Sequence, residues 1–295
     1  MSADQFLQYL VSGLTQGSIY ALVGLGFTII YAVTRIINFA QGEFVMLGGM
    51  LSFTLIASVG IPVVPALVLS VLVAAAVGGV LYLLAIRPAR RASVASLIII
   101  TIGAAIFIRG IASELWGVDA VRPPSFTGDS SIQFLGAYIH PQALWIIGTT
   151  VVVTVVLQLF LSYTIVGKAL NACAINPTAA RLVGINPAAM GLVAFILAAS
   201  LGGIAGVVMA PLTLTSYHVG VMLGLKGFVA ASIGGFKSPL AAVVGGITLG
   251  IVESLAVGLD WGPFTSAYKD AIALVVLLVI LLARSGKLAA EERVS

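Results

Sequence analysis

The sequence predicts an all-α protein, a polytopic bundle of helices that crosses a membrane about eight or nine times and contains discontinuous helices. Hydrophobic residues make up 60% of the 295 residues. Charged residues make up only 8%, whereas a soluble domain carries about 25%. The mean hydropathy is +1.18. Apolar runs near the length of about 20 residues that crosses the hydrocarbon core recur along the whole chain, which indicates a membrane protein.

Nine apolar runs are candidate spans. The first contains Gly24 and Gly26 and is compatible with a break between them. The seventh is short, so it is either a span or a re-entrant segment. The runs are 8–33, 43–60, 62–86, 93–113, 142–162, 191–211, 221–235, 239–258 and 267–283.

Basic residues between these runs predict the orientation in the membrane. Lys and Arg concentrate in cytoplasmic loops. The basic loop positions share one side if the N-terminus is outside and the C-terminus is cytoplasmic. The 114–141 loop, which is mainly acidic, then lies outside. The basic positions are Arg87, Arg90, Arg91, Lys168, Arg181, Lys237, Arg284, Lys287 and Arg293.

Motifs for catalysis are absent from the sequence. It contains no nucleotide-binding P-loop, no H-E-x-x-H and no G-x-S-x-G. Two histidines and one cysteine are too few for a His-based metal cage or a disulfide framework. Glu253 stands out as a carboxylate inside a clear span with no obvious partner, which argues against an intramembrane protease or a proton-driven pump. The sequence therefore favours a transport pathway whose energy comes from elsewhere.

The longest inner connection, residues 163–191, is a candidate docking segment. Within it, TAARLVGI (residues 178–185) is expected to form a short amphipathic helix at the membrane surface. Such a helix suits the groove of a partner protein. The alternative is a solvated connection with no partner.

Several phrases of the chain resemble a known family. Residues Thr178 to Gly184 are similar to the coupling loop of ABC importer permeases, whose pattern begins Glu-Ala-Ala-x-x-x-Gly. Here Thr178 replaces the glutamate, and the downstream Ile-x-Leu-Pro is absent. The wider sequence resembles branched-chain amino acid permeases of the Liv type from about Leu10 to Leu282, with His as the usual residue where Gln41 stands. The matching phrases are GSIYALVGLGFTIIYAVTRIINFAQGEFVMLGG, GKALNACAINPTAARLVGIN and GLKGFVAASIGGFKSPLAAVVGGITLGIVESL.

The resemblance implies the permease subunit of an ATP-driven ABC importer for branched-chain or related hydrophobic amino acids in a bacterial inner membrane. Its implied partners are a second permease subunit, related or identical, two cytoplasmic ATPase subunits and a periplasmic or lipid-anchored binding protein. No cofactor, metal or nucleic acid is implied, and the chain itself would hydrolyse nothing. The residues implied in ATPase coupling are Thr178, Ala179, Ala180, Arg181 and Gly184.

The domain organisation follows from the same resemblance. Residues 1–290 are expected to form a single transmembrane permease domain that contains the 163–191 coupling loop, and residues 284–295 a short cytoplasmic tail. Three alternatives remain. The first is a permease for urea, short amides or other small polar solutes. The second is a passive channel or facilitator that needs no ATPase, and the third is a structural membrane scaffold.

A polar cluster in the stretch RIINFAQGEFVMLGGM, residues 35–50, is the candidate pathway site. A zwitterionic amino acid is costly to desolvate without partners, and a helix that begins inside the membrane offers free N–H groups. We therefore expect Asn38, Gln41, Gly42 and Glu43 to shape the inner mouth or gate. The alternative is a helix boundary, at which Asn38 or Gly42 closes one helix and Glu43 caps the next.

Two basic residues within the apolar runs have open roles. Arg109 is expected to snorkel toward an outer helix end. Lys226 either snorkels or lines the path beside a second polar break near residues 234–238. A weak echo between FAQGEFVMLGGM and GGFKSPLAAVVGGI predicts that the two breaks belong to a repeat of parallel orientation.

Overall fold

A computed structural model of the chain describes residues 2–89, 92–134, 136–236, 238–258, 270–276 and 278–279. Helices dominate these residues, which confirms the predicted all-α class, and one short antiparallel hairpin joins them. The helices are α1 (Ala3–Thr34), α2 (Gln41–Phe53), α3 (Val63–Leu81), α4 (Val94–Trp116), α5 (Pro141–Tyr163), α6 (Ile165–Ile175), α7 (Pro177–Leu182), α8 (Pro187–Thr213), α9 (Val219–Ile233) and α10 (Pro239–Gly258), and the strands are β1 (Ile132–Phe134) and β2 (Ala137–Ile139).

Six helices in the described ranges are long and apolar enough to cross a membrane, fewer than the predicted eight or nine spans. They are α1, α3 with the π-helical turn Tyr82–Ile86, α4, α5, α8 and α10. The predicted span 43–60 is the 13-residue α2 followed by a π-helical segment, Thr54–Ser58. The predicted span 221–235 corresponds to the 15-residue α9, short as expected. The predicted span 267–283 is described only in part, and residues 270–276 of it are helical.

Of the two forms that the sequence left open for the first run, the structure has the unbroken one, because α1 is continuous from Ala3 to Thr34. These glycines instead provide close packing: a methyl group at Gly26 would overlap the Gln41 side chain, and one at Gly24 would press on Ala230 of α9. Small residues of this kind let membrane helices approach each other closely.

Two sets of contacts assign helix termini to the two ends of the bundle. Gln8 near the start of α1 exchanges two hydrogen bonds, of 3.1 and 2.8 Å, with the backbone of Tyr138 in the hairpin. At the other end of α1, Arg35 donates to the Ala174 carbonyl of α6 at 2.8 Å. The N-terminus therefore lies at the same end as the 117–140 loop, and Arg35 at the same end as the 163–191 segment.

Several of the basic positions used to predict the orientation lie outside the described residues, and so does the predicted tail 284–295. These positions are Arg90, Arg91, Lys237, Arg284, Lys287 and Arg293.

Two helices, α2 and α9, begin inside the bundle. The chain leaves α1 at Arg35, returns without regular secondary structure through a turn, and starts α2 where Gln41 meets Gly26, about 12 Å from the end of α1. On the opposite side, α8 ends at Thr213, and the following residues lead to α9, whose Gly220 meets Gly42. The N-termini of two short helices thus face each other within the bundle.

The bundle has an inverted internal repeat. Helix α1 packs on α9 and α10, and α8 packs in the same way on α2 and α3. Both α1 and α8 are followed by a residue with positive φ, 58° at Arg35 and 63° at Leu214, a conformation uncommon for residues other than glycine. Because α2 and α9 run in opposite directions, the counterpart of the first break is residues 214–218 rather than the break near 234–238 that the sequence echo predicted.

Candidate functional site

The break between α1 and α2 is shaped by its own polar groups. The Asn38 side-chain oxygen accepts a hydrogen bond from the Ala40 amide at 3.1 Å, and the Asn38 carbonyl accepts one from the Gln41 amide at 3.1 Å. Thr101 of α4 accepts a bond from the Phe39 amide at 3.2 Å. The break is therefore a defined turn held against α4.

Gln41 connects the first turn of α2 to α8. Its side-chain nitrogen donates to the Ala198 carbonyl at 2.8 Å, and its side chain lies against Gly26 and Gly202, which have no side chains to displace it. Asn38 and Gln41 are both fully buried. Asn38 and Gln41 thus lie inside the bundle, and each has one side-chain atom bonded to the backbone.

Glu43 forms an ion pair with Arg109 of α4. The Arg109 guanidinium donates two hydrogen bonds to Glu43 Oε1, at 2.8 and 3.3 Å. The Glu43 side chain is 2% exposed and that of Arg109 is 28% exposed. Two expectations are corrected here: Arg109 points to a buried carboxylate instead of snorkelling, and Glu43 does not cap α2, which begins after Ala40 without a side-chain cap.

The contact of Gly42 with Gly220 closes the space between α2 and α9. A methyl group on Gly42 would overlap the Gly220 carbonyl oxygen, and one on Gly220 would lie 2.6 Å from the Gly42 carbonyl oxygen and 2.9 Å from Glu43 Oε2. Only glycine fits at either position without a shift of backbone. We call this contact the α2–α9 seam.

Lys226, on the same helix as Gly220, lies in a second charged group, the Lys226 cluster. Its members are the buried Lys226, Glu253 and Tyr20 and the half-exposed Asp270. Lys226 Nζ lies 2.6 Å from Glu253, 2.7 Å from Asp270 and 3.2 Å from the Tyr20 hydroxyl. The Tyr20 hydroxyl donates to the other Glu253 oxygen at 2.8 Å. The expectation that Glu253 has no partner is therefore wrong, and Asp270 is a further carboxylate in a predicted span.

Three side-chain atoms in the break lack a hydrogen-bond partner among the described residues. They are Asn38 Nδ2, Gln41 Oε1 and Glu43 Oε2, all buried. Buried polar atoms are nearly always paired, because an unpaired one costs about 1–3 kcal/mol. This cluster of unpaired atoms makes the break the candidate functional site.

The residues expected in coupling lie on α7 and just after it, at the end of the bundle where Arg35 contacts Ala174. Thr178, Ala179, Arg181 and Gly184 are exposed, and Ala180 is buried. Gly184 has φ of 87° with open space around it, so it provides the turn that follows α7. The expected short helix exists as α7, which begins one residue before the expected start, at Pro177, and ends before the expected end, at Leu182.

Sequence reasoning missed the roles of Arg109, Tyr20, Asp270 and Gly220. A charge inside a membrane span generally pairs with another one. The predicted spans contain the basic residues Arg109 and Lys226 and the carboxylates Glu43, Glu253 and Asp270. These opposite charges in the spans indicate two ion pairs, as the structure has them. Nothing in the sequence singled out Gly220 among the 33 glycines of the chain.

Comparisons with known proteins agree with the resemblance found in the sequence. The family model described as "Branched-chain amino acid transport system / permease component" matches residues 9–281. The chain is 33% identical over 292 residues to the "High-affinity branched-chain amino acid transport system permease protein LivH" of Escherichia coli (strain K12), covering 94% of this chain and 93% of that protein.

Two further relatives extend the similarity. The "High-affinity branched-chain amino acid transport system permease protein BraD" of Pseudomonas aeruginosa is 34% identical over 294 residues, which cover 95% of this chain and 94% of that protein. The "Probable branched-chain amino acid transport permease protein LivH" of Methanocaldococcus jannaschii is 29% identical, covering 90% and 86%. The similarity thus spans bundle, break and coupling segment alike.

Proposed function

Because this chain belongs to the permease-component family of branched-chain amino acid transport systems, we propose that the path for the amino acid runs past the break at Asn38–Glu43 and the α2–α9 seam. The chain is the permease component of an ABC transporter for branched-chain amino acids, and a multi-pass inner-membrane protein. Its relatives are transport subunits, and a permease of this type works with other ABC subunits.

The pairing of two half-length helices carries this proposal. Irregular backbone at membrane depth is tolerated where it is buried in protein or lines a water-filled cavity, and discontinuous helices in transporters lie at the substrate site. Here α2 and α9 each begin inside the bundle, and three unpaired polar atoms lie at the start of α2. Asn38, Gln41, Gly42 and Glu43 then act as the gate. Lys226 holds α9 beside it.

Removal of the Asn38 amide tests the gate. Asn38→Ala deletes a polar group that the closed bundle leaves half unpaired, so the protein should reach the membrane in normal amounts, while leucine uptake by the assembled transporter should fall several-fold. Ser52→Ala is the matched control, because Ser52 is equally buried in α2 but bonds only to the Gly49 carbonyl of its own helix. Equal uptake by the two variants would argue against a gate at the break.

The 163–191 segment is the proposed ATPase-docking loop, in line with its resemblance to coupling loops. Besides Thr178, Ala179, Ala180, Arg181 and Gly184, it exposes large apolar side chains at one end of the bundle. Ile175, Leu182 and Val183 are 84%, 86% and 75% exposed. Exposed apolar clusters of this kind generally mark protein interfaces. Two ATPase subunits in the cytoplasm are the proposed partners on this face.

A charge in this apolar patch tests docking. Leu182→Asp should leave the bundle folded, since the side chain is already exposed, but should strongly reduce ATPase binding and uptake. Val59→Asp, at a position that is 62% exposed and follows α2 at the other end of the bundle, is the control. Copurification of the ATPase with each variant gives the measurement. Normal copurification with Leu182→Asp would place docking elsewhere.

The remaining architecture follows from the docking face. The N-terminus and the 117–140 loop are then outside, where a periplasmic or lipid-anchored binding protein delivers the amino acid. Lys168 and Arg181 fall on the cytoplasmic side, as the positive-inside rule requires. A second permease subunit, related or identical, completes the pathway, and residues 1–290 act as one permease domain with 284–295 as a cytoplasmic tail.

A further inference from the structure

We propose that the α2–α9 seam, when open, binds the head group of the amino acid, with its ammonium on Glu43 Oε2 and its carboxylate at the first turn of α9. The inference rests on the proposed function and adds the chemistry by which the permease itself recognises its substrate. Two independent features meet at Gly220, an unpaired carboxylate oxygen and an uncapped helix N-terminus.

Glu43 Oε2 provides the ammonium partner. Arg109 donates both of its hydrogen bonds to Oε1 and leaves the second oxygen unoccupied. Oε2 is buried and has no partner in the described part of the chain. A primary ammonium offers three donors, and charge-assisted hydrogen bonds are roughly twice as strong as neutral ones. The oxygen is thus a strong unfilled acceptor for a cation.

The start of α9 provides the carboxylate partner. Its N-cap residue is His218, whose side chain makes no capping bond to the helix. In the first turn of α9 the Val219 amide donates to the Ser216 carbonyl at 3.2 Å and the Val221 amide to the His218 carbonyl at 3.3 Å. The Gly220 amide between them has no acceptor among the described residues, and together with the helix dipole it favours an anion. By contrast, Asn186 caps α8 with its side chain, and Asn176 caps α7 in the same way. The uncapped terminus of α9 lies inside the bundle, where an anion is hardest to satisfy otherwise.

The two partners lie close together, as an α-amino acid requires. The ammonium and carboxylate are attached to one carbon atom, so their partners must lie within a few ångströms of each other. A methyl group on Gly220, in the first turn of α9, would be 2.9 Å from Glu43 Oε2. In this structure the seam is shut by the Gly42–Gly220 contact, so binding requires α2 and α9 to separate, and bound substrate then holds them apart.

This arrangement predicts selection for the head group and not for the side chain. An α-keto acid lacks the cation for Glu43, and an amino acid amide lacks the anion for α9. Losing one charge-assisted bond costs about 1.5–3 kcal/mol, which corresponds to a loss of about tenfold or more in affinity. The permease should therefore discriminate in two separable ways.

Competition binding separates the two partners. The permease–ATPase complex in nanodiscs, without binding protein, is equilibrated with radiolabelled leucine against unlabelled leucine, leucinamide or 4-methyl-2-oxopentanoate. For the wild type, each analogue should compete at least about tenfold more weakly than leucine. Glu43→Gln should abolish the advantage of leucine over the keto acid and keep its advantage over the amide. His218→Asp, which places an anion at the α9 N-cap, should do the reverse.

Matched variants keep the test sharp. Glu253→Gln makes the same change in another buried ion pair, and Asn186→Asp places an anion at the N-cap of α8; both should bind like the wild type once folded. If Glu43→Gln does not assemble, Glu43→Asp, which keeps the charge but withdraws the oxygen, should weaken leucine and spare the keto acid. Absence of leucine binding to the wild-type complex, or unchanged selectivity in the Glu43 and His218 variants, overturns the proposal.

The proposed function is checked separately in proteoliposomes that contain the binding protein and ATP. Failure of the wild-type complex to accumulate leucine there contradicts the proposed function. Accumulation by the wild type, combined with unaltered selectivity of the variants, contradicts only the head-group site.

Discussion

The Glu43–Arg109 pair and the Lys226 cluster each contain a buried carboxylate paired with a basic residue, yet they differ in how completely that carboxylate is bonded. In the Lys226 cluster both Glu253 oxygens have partners, and the Tyr20 hydroxyl donates to one and accepts from Lys226. In the Glu43–Arg109 pair one carboxylate oxygen has none among the described residues. Each pair also connects a half-length helix to a neighbour, α2 to α4 and α9 to α10.

The difference is the one expected between a structural cluster and the proposed functional one. A fully bonded buried network resists rearrangement, because any movement leaves charges without partners. A partly bonded one loses less when its surroundings move, and it gains when a ligand fills the open position. We therefore expect the Lys226 cluster to fix α9 against α1 and α10, while α2 moves with Glu43 and Arg109.

The largest expected effects come from replacing the basic residue of each group, Lys226 or Arg109, with methionine. Lys226→Met leaves the Glu253 carboxylate, which is 1% exposed, without a counter-charge, whereas Asp270 is half exposed. The loss of the Lys226–Glu253 pair should lower the free energy of unfolding by about 5 kcal/mol, the upper end for a broken buried pair. Arg109→Met leaves one carboxylate, and Arg109 is partly exposed, so about 3 kcal/mol is expected. Thermal denaturation of the purified variants gives the order, and a larger loss for Arg109→Met would reverse the comparison.

A double variant controls for the loss of the lysine stem. Adding Glu253→Gln to Lys226→Met removes one of the two uncompensated charges and should restore part of the stability. No restoration would mean that packing of the lysine, and not its charge, holds the cluster together.

A smaller effect is expected from making the Lys226 cluster resemble the Glu43–Arg109 pair. Tyr20→Phe removes the hydroxyl that bonds Glu253 and leaves one oxygen of Glu253 unpaired, as Oε2 of Glu43 already is. The expected loss is about 1–3 kcal/mol of stability, with the uptake rate per folded transporter unchanged. Stability is measured by denaturation and uptake in vesicles, and a large drop in uptake at normal stability would assign Tyr20 to the pathway instead.

The smallest effect is expected at Asp129, an exposed reference for the two buried pairs. A hydrogen bond from Ser125, and then the charges of Arg122 and His140, hold the pKa of the Asp129 carboxyl below its usual range. A depressed carboxyl pKa adds stability that is present above the usual value and is lost as the pH falls through the folded-state value. Acidification should therefore loosen the 122–131 segment and leave the bundle intact.

Hydrogen exchange of the 122–131 segment, corrected for the intrinsic pH dependence of exchange, measures this change. Asp129→Asn should make protection of the segment independent of pH in the acid range. A wild-type loop whose protection does not vary with pH would show that these contacts are too solvated to matter.

The fold class could be predicted because composition and run length report directly on the solvent around a helix. Long runs such as those of α4 and α5 emerged within a few residues of their observed bounds. The half-length helices were harder to predict, since α2 and α9 are as apolar as the true spans. The role of Gly24 and Gly26 could not be predicted, because the sequence does not distinguish a glycine that permits close helix packing from one that breaks a helix.

The polar break could be predicted as a site because Asn38, Gln41 and Glu43 are rare residue types in such a chain. Their partners could not, since the pairs Glu43–Arg109 and Lys226–Glu253 join positions far apart in sequence. The similar phrases FAQGEFVMLGGM and GGFKSPLAAVVGGI predicted a parallel repeat, whereas the two repeated units of the structure share their helix packing and run in opposite directions. Sequence similarity does not record an inverted arrangement when the two halves have diverged.

The touching backbones of Gly42 and Gly220 have a consequence for the energy economy of the cell. In the proposed path the barrier at this contact consists of backbone, because neither glycine has a side chain to place between the two helices. A separation of α2 and α9 by only about one side-chain width would admit water, and with water the protons and sodium ions whose gradients the membrane maintains. Leakage, and not only transport rate, therefore limits how loosely these two glycines can be held together.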